Sequence, residues 1–458
     1  MKTDTENQAD SQAKAVEEYE KTLERWFGEA TKEDVQKVID KLGEWEKLPY
    51  SKLVKLNLDL CSNCGACADE CHIYKTLPRK EFNPVYRVKL LRSVYQKYFT
   101  WVGKVFGRFA GARKLDKELL KEWFVRFYQC NMCRRCNIFC PFGVDNMAIV
   151  RTGRLLINDV MGKTTEDMGR GVRYHLRDGN ASEMSEAAFR NIVSFWEDEI
   201  KEVKGWDVKV PIDVVGAEMF LIPPNTDYFH SLETMEGIAA TLYAANVSWT
   251  MSSKIFDSVN YGTFFNDEAW ASIITQHIEE AKRLKCKTLV VGECGHATKS
   301  LMFLGPSLLG EFPFEVKNIL QVTADLIQHD RIKLNKEANP ETVTYHDPCN
   351  VTRMCGIMEE PRIILRAACM DFREMTPNRD RNYCCGGGGG VVLETASHDF
   401  RMEVTGKLKA EQMQRTGAKI VVTSCANCKV EISHLIDQYK LDMKWAGVHD
   451  MVLNALEL

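Results

Sequence analysis

Two hydrophobic patterns alternate through the C-terminal half of the chain. "CKTLVVGECGHATKS" (286–300) and "AKIVVTSCANCKVE" (418–431) each carry a short β-branched run that ends on a cysteine. A run apolar on both faces predicts a buried parallel strand. Helical periodicity precedes each, in "EAWASIITQHIEEAKRL" (268–284) and "DFRMEVTGKLKAEQMQRTG" (399–417). Further upstream, "GAEMFLIPP" (216–224) parallels "VTYHDPC" (343–349), and "MEGIAATLYAANVSW" (235–249) parallels "EEPRIILRAACMDFRE" (359–374). The pattern is strand–helix–strand–loop–helix–strand, twice over, which predicts a tandem α/β repeat. Ligands gather at the carboxyl ends of parallel strands in open α/β sheets, so the chemistry is expected where the cysteines begin.

The N-terminal half reads as helices. Residues 1–14 are polar and poor in aromatics and are expected to be disordered. From about 15 to 50 the pattern is helical, with Thr31 and Asp34 marking a helix start. Between 86 and 114 there are eight Lys/Arg and no acid. Leu91, Val94, Tyr98, Trp101, Val105 and Phe109 recur at helical spacing, with Tyr95, Phe99 and Phe106 beside them. This predicts one basic amphipathic helix. It reads either as a membrane-surface or membrane-subunit docking element, or as a packed helix with a solvated basic face.

The chain has 458 residues, 45% of them hydrophobic, enough for several domains. A net charge of −4 gives no reason to expect nucleic acid. The N-terminus lacks the basic and apolar regions of a secretory signal, and no apolar run approaches roughly 18 residues. A cytoplasmic protein, soluble or peripheral, is expected. The 17 cysteines are an odd number in such a chain. They point to metal or redox chemistry and away from a disulfide framework.

Their spacing is specific. Cys61, Cys64, Cys67 and Cys71 form one C-x2-C-x2-C-x3-C run, and Cys130, Cys133, Cys136 and Cys140, followed by Pro141, form another. This run wraps cubane [4Fe–4S] clusters, with the fourth cysteine reaching to the other cluster. Cys61, Cys64, Cys67 and Cys140 are therefore assigned to one cubane, and Cys130, Cys133, Cys136 and Cys71 to the second. Structural zinc, the alternative, prefers separated CxxC pairs. Cys71 is followed by His72 where a proline is usual, which loosens the crossover turn and removes no ligand.

A third set lies in the second repeat. Cys349, Cys384, Cys385, Cys425 and Cys428 are spaced C-x34-CC-x39-CxxC, and five glycines (386–390) follow the adjacent pair. The repeat would bring three strand-end loops to one point. Glycine would let backbone amides approach the sulfurs and donate to them. A dinucleotide loop is the competing explanation for the glycines, but Val391 stands at its third glycine and it accounts for no cysteine.

This layout resembles the HdrD-like heterodisulfide reductase superfamily, in which two ferredoxin-type motifs precede CCG domains. The wording "RNYCCGGGGG" and "HDPC" is most similar to the DsrK, TmcB and HmeD branch. The resemblance implies an α+β ferredoxin-like, largely helical Fe–S domain followed by an α/β CCG-type tandem repeat. The implied cofactors are two [4Fe–4S] cubanes and one noncubane [4Fe–4S]-type cluster on the five cysteines of the second repeat, which would be the catalytic set. It further implies a peripheral subunit at the cytoplasmic face of the inner membrane. Its partner would be a membrane cytochrome b subunit (DsrM-like or TmcC-like), with cytochrome c and ferredoxin-like subunits as further candidates. The reaction would be reduction or oxidation of a disulfide or trisulfide on a small thiol protein such as DsrC, in sulfate or sulfite respiration. An alternative of another class is the electron-conduit Fe–S subunit of a glycolate or glycerol-3-phosphate dehydrogenase complex, which cleaves no disulfide.

The first repeat departs from the family pattern. Cys294 is present, but Ala297 stands where Cys428 would align, Pro224 where Cys349 would, and Ser252–Lys254 near the adjacent pair. It is read as structural. The expected organisation is an arm at 1–50, a two-cluster domain at 51–160 with the 86–114 insert, a helical linker at 161–210, a degenerate repeat at 211–335 and an intact one at 336–458. Cys286 and Cys369 read as small buried hydrophobes. Cys294 and Cys355 are secondary candidates for the site, and His346 and His296 flank the cysteine loops.

Overall fold

The computed structural model describes residues 4–48 and 51–458. It divides into two compact units. One comprises residues 1–169, 264–267 and 386–408, and the other residues 170–263, 268–385 and 409–458.

The first unit is helical. Among the described residues no strand precedes Met219, so this domain is not the α+β arrangement expected of it. The reason is local: each cysteine run is reached from a helix and left into one. The helix Ser51–Leu60 leads to Cys61, and His72–Thr76 follows Cys71. Likewise Lys117–Tyr128 leads to Cys130, and Asn146–Met161 follows Cys140. The flanks are rich in Leu, Lys and other good helix formers, and only the runs themselves turn. Trp123, Phe124, Phe127, Val150 and Leu156 are buried between these helices.

The N-terminal arm is ordered into this core. A helix spans Asp4–Phe27, where disorder to residue 14 was expected; residues 1–3 lie outside the described residues. Its apolar face explains the difference. Tyr19, Leu23 and Phe27 are buried, and Tyr19 stacks on Phe400 at 5.0 Å. The next helix, Lys32–Trp45, starts in a capping box in which Thr31 and Asp34 bond each other's backbone N–H.

The 86–114 insert is two helices and a turn. The first helix, Pro84–Phe99, ends at Thr100, whose hydroxyl donates to the Gln96 carbonyl (2.9 Å) and accepts from the Gly103 N–H (3.1 Å). A short helix, Trp101–Phe106, then folds back, followed by the turn Gly107–Ala110. The fold-back needs glycine: a Cβ on Gly103 would lie 2.1 Å from the Gln96 carbonyl oxygen. The periodic face therefore splits. Leu91 and Val94 are buried, while Trp101, Val105, Phe106 and Phe109 are exposed. One of the eight cations, Arg87, is turned inward onto the carbonyls of Phe82 and Arg126.

The second unit holds two parallel four-stranded sheets. The first repeat supplies β1 (Met219–Ile222), β2 (Trp249–Thr250), β3 (Thr288–Val291) and β4 (Glu315–Asn318), in the order β2-β1-β3-β4. After β5 (Lys333–Leu334), the second repeat supplies β6 (Thr342–His346), β7 (Asp371–Glu374), β8 (Ile420–Thr423) and β9 (Lys444–Ala446), in the matching order β7-β6-β8-β9. A last strand, β10 (Leu456–Glu457), pairs antiparallel with β5 and ties the C-terminus to the segment between the repeats. The central strands β3 and β8 are buried on both faces, as "TLVV" and "IVVT" require. In each sheet the first and third strands of the repeat are neighbours, and the connections leave them in opposite directions. That opens a crevice at their carboxyl ends.

Candidate metal centres

In the helical unit, one cavity is lined by Cys61, Cys64, Cys67, Cys136 and Cys140. Another is lined by Cys71, Cys130, Cys133 and Cys136. The fourth cysteine of each run thus stands with the first three of the other, and Cys136 borders both cavities. Burial, then the neighbouring thiols Cys61, Cys140 and Cys71, push the Cys67 thiol up to about 12. Cys136 is raised further by burial and by Cys133, Cys71 and Cys130. So many thiolates this close need a shared cationic centre to be ionised together, and soft iron suits an all-sulfur donor set.

Side chains outside the runs hold the loops. Arg135 donates to the Glu70 carbonyl (2.9 Å) and pairs with its carboxylate (2.6 Å), joining one run to the other. His72 lies buried between them, with Nε2 2.8 Å from Asn131 Oδ1 and Nδ1 3.8 Å from Cys133 Sγ. The residue that replaces proline therefore braces the crossover.

The glycine run also packs on the second cysteine run. Within the helical unit, Gly388 and Gly389 lie against the loop of the second cysteine run. A Cβ on Gly388 would meet the Asn131 carbonyl oxygen at 2.6 Å, and one on Gly389 the Cys130 carbonyl oxygen at 2.6 Å, with Gly389 at φ +69°. Asn131 donates to the Gly386 carbonyl (2.6 Å). Arg154, fully buried, donates to the carbonyls of Phe127 (2.8 Å), Cys130 (3.0 Å) and Gly389 (2.6 Å). The glycines permit close backbone packing on Cys130, and the carbonyls of Gly386, Gly388 and Gly389 accept hydrogen bonds there.

In the α/β unit, Cys349 lies three residues past β6, Cys384 and Cys385 follow β7, and Cys425 caps the helix Ala426–Tyr439 after β8. All five are buried. Cys385 Sγ is 3.4 Å from Cys428 Sγ, and His346, Cys385 and Cys428 offer ligand atoms within 4.8 Å of one another. Hydrogen bonds with Cys384 and Cys428 hold the Cys385 thiol well below its usual range. Cys428 also lowers Cys425, to about 7. Four of the five sulfurs are thus linked in a chain of contacts, and Cys349 stands at the same end of the sheet on the neighbouring central strand.

Behind the sulfurs lies a polar chain. Lys409 Nζ donates to Asn382 Oδ1 (2.8 Å), which orients the amide so that Nδ2 meets His346 Nδ1 (3.3 Å). Burial, then Lys409, lowers the imidazole to about 4, so it is neutral at pH 7. Burial likewise lowers Lys409 to about 7. Lys409 and Asn382 carried no local signal; a lysine at a buried helical position near a cysteine pair is recognised only once the loops converge.

Cys294 of the first repeat is buried at the end of β3, and its sulfur accepts the Ala297 N–H at 3.4 Å. Its turn adjoins the second repeat: the Ala426 N–H donates to the Glu293 carbonyl (3.0 Å), and Cys425 raises the Cys294 thiol further after burial. The crevice of the first repeat is occupied by charges. Glu293 pairs with Lys429 (3.1 Å) and His449 (2.7 Å), and Lys429 also faces Asp227 (3.6 Å). Burial by itself would raise Glu293, but Lys429 and His449 outweigh it and hold the carboxyl at about 2. Cys286 and Cys369 are buried, and Cys355 is half-buried.

A 4Fe–4S dicluster domain family matches residues 57–144, and a cysteine-rich domain family matches residues 343–433. Among curated proteins, the chain is 32% identical over 457 residues to the Hdr-like menaquinol oxidoreductase iron–sulfur subunit 2 of Archaeoglobus fulgidus, covering 90% of this chain and 82% of that one. The Hdr-like menaquinol oxidoreductase iron–sulfur subunit of Archaeoglobus profundus is 31% identical over 458 residues, with coverage of 90% and 82%. A component of the dihydromethanophenazine:CoB–CoM heterodisulfide reductase of Methanosarcina barkeri is 26% identical over 418 residues, covering 88% of this chain and 95% of that one.

Proposed function

This chain belongs to the HdrD-like heterodisulfide reductase superfamily of iron–sulfur subunits, and on that footing we propose that it carries electrons from a quinol to a sulfur–sulfur bond. The observation that carries the proposal is the convergence of Cys384, Cys385, Cys425, Cys428 and His346 at the strand-end crevice of one repeat, beside Cys349. An all-sulfur set with one imidazole suits a redox cluster better than a structural zinc.

Two [4Fe–4S] cubanes would be held by Cys61, Cys64, Cys67 and Cys140, and by Cys130, Cys133, Cys136 and Cys71. The noncubane cluster would be held by Cys349, Cys384, Cys385, Cys425 and Cys428. When bound there, the clusters supply one-electron steps and iron sites for sulfur. The net reaction takes two electrons and two protons to convert one disulfide into two thiols. Cys64 is exposed, which favours the first cubane as the entry point. Neutral His346, oriented by Asn382, would hold a proton next to the sulfurs. The disulfide partner in this reading is a small thiol protein of the DsrC kind, in sulfate or sulfite respiration. The electron donor is menaquinol, oxidised by a membrane cytochrome b subunit at the cytoplasmic face. No helix among the described residues is long and apolar enough to cross a membrane.

The test is iron and spectroscopy on anaerobically prepared protein. Iron should clearly exceed the roughly eight per chain that two cubanes hold. Cys385→Ser should remove thiol-dependent changes in the EPR signal and disulfide turnover while the cubane signals persist. About eight irons, or joint loss of every signal, defeats the reading. A wild-type signal that ignores added thiol would make the chain an electron conduit to another subunit.

A further inference from the structure

Two features of the helical unit meet at one place, and electron transfer by itself uses neither. The first is a cleft of about 570 Å³ lined by Asn63, Tyr86, Lys89, Arg92, Gln96 and Arg113 among others. It holds three cations and no carboxylate. Arg92 is held in place, donating to the carbonyls of Leu58 (3.2 Å) and Cys61 (2.6 Å) and to Asn63 Oδ1 (2.7 Å). Arg113 is set by its backbone N–H, which donates to the Ser93 carbonyl at 2.9 Å. The Tyr86 hydroxyl donates to Glu122 on the neighbouring helix, and that carboxylate does not itself line the cleft.

The second feature is the folded-back segment 101–109. Trp101, Val105, Phe106 and Phe109 are all exposed, and Phe109 completely so at 101%. Scattered apolar residues on a surface need no explanation, but this many within nine residues form a patch. Lys104 and Arg108 are interspersed and exposed, and no acid occurs from 86 to 114. The turn that carries Phe109 continues directly into Ala110, Gly111 and Arg113, which line the cleft.

We propose that the cleft binds the headgroup of an anionic phospholipid while the 101–109 segment enters the acyl region beside it. The chemistry is complementary on both counts. Guanidinium and ammonium groups match a phosphodiester, with Arg113 free to approach it in a fork. Aromatic and aliphatic side chains with flanking cations suit the boundary between headgroups and chains. The inference deepens the membrane docking proposed above: it assigns the contact to lipid, and it places Asn63, next to the exposed Cys64, at the bilayer surface. It rests on that reading only for the direction in which electrons would then flow.

The test is co-sedimentation of the full-length, cluster-loaded protein with vesicles. Vesicles of phosphatidylcholine mixed with phosphatidylglycerol should bind it, and phosphatidylcholine alone should bind it far less. Each cation removed from the cleft should weaken partitioning about five-fold, so Lys89→Gln with Arg113→Gln should lose roughly 25-fold. The same charge loss at Lys32 and Lys37, outside the cleft, should cost little. Trp101→Ser with Phe109→Ser should weaken binding to both vesicle types. Soluble glycerol phosphate at matched ionic strength should not displace the protein. Equal binding to neutral and anionic vesicles, equal loss from the remote pair, or displacement by glycerol phosphate would each overturn the lipid site. So would sedimentation only when a protein partner is present. Iron content and EPR spectra of the same samples keep the two proposals separate. Lost partitioning with intact clusters bears on docking, and missing iron with intact partitioning bears on the redox reading.

Discussion

The two repeats of the α/β unit share a strand order and differ in what fills the crevice at their strand ends. In the second, sulfurs converge: Cys385 and Cys428 are 3.4 Å apart, with His346 beside them. In the first, the equivalent space is closed by protein. Ser253 donates to Asp213 (2.6 Å), Ser252 donates to Glu280, and Glu293 pairs with Lys429 and His449. One crevice is completed by hydrogen bonds and ion pairs of the chain itself, and the other presents donors that call for an inorganic centre. The sheets are the same because their order depends on buried β-branched strands and helix faces, which both repeats keep. The first repeat lacks the ligand set and has the same strand order. The two are also linked, since Lys429 follows Cys428 and yet reaches Glu293 of the first repeat.

That link offers the largest expected effect. Lys429→Met would leave Glu293 and Asp227 buried without their cation, at a cost of about 3–5 kcal/mol. Denaturant titration should show the same loss with and without iron. A loss seen only in the iron-loaded protein would mean that the ion network supports the cluster and not the fold.

A smaller effect sharpens the contrast through pH. The Glu293 carboxyl lies at about 2 in the folded protein and near 4.3 in the unfolded chain. A carboxyl lowered by folding contributes stability that is present above the unfolded value and lost as pH falls through the folded one. The contribution is about 3 kcal/mol, and it should disappear between roughly pH 4 and 2. Glu293→Gln should flatten that part of the stability profile. An unchanged slope would show that the network carries no net coupling.

The third compares the glycine run with the cysteine pair before it. Gly389→Ala should cost roughly 1–3 kcal/mol, because φ +69° is unfavourable for alanine and the added Cβ would lie 2.6 Å from the Cys130 carbonyl oxygen. The EPR signal of the cubane proposed for Cys130, Cys133, Cys136 and Cys71 should change, while the signal dependent on Cys385 remains. If only the latter changed, the glycines would serve the Cys385 site and not the Cys130 loop.

The cysteine runs, the duplicated strands and the five-cysteine spacing were legible because each is a local pattern. A cubane-binding run is a matter of neighbouring residues, and a buried parallel strand is a continuous apolar stretch. The break at Thr100 was not legible from periodicity, because Trp101, Val105 and Phe109 continue the spacing of Leu91 and Val94 on paper. The break is set by a threonine cap and by the contact of Gly103 with Gln96. The N-terminal helix was underestimated for a related reason: its polar first turns are carried by a buried face that begins near Ala15.

The sequence alone pointed to the residues that could ligate iron and to a helical Fe–S region ahead of the repeats, and it shows the five-cysteine spacing in the second repeat only. These follow from residue identity and short-range spacing. Only the tertiary structure decided that Arg154 and Asn131 hold the glycine run on the Cys130 loop. It also decided that Lys409 and Asn382 orient His346, and that a lysine of one repeat neutralises a glutamate of the other. Those pairings join residues tens to hundreds of positions apart. A charge buried in a low-dielectric interior is tolerable only where folding brings its partner to it.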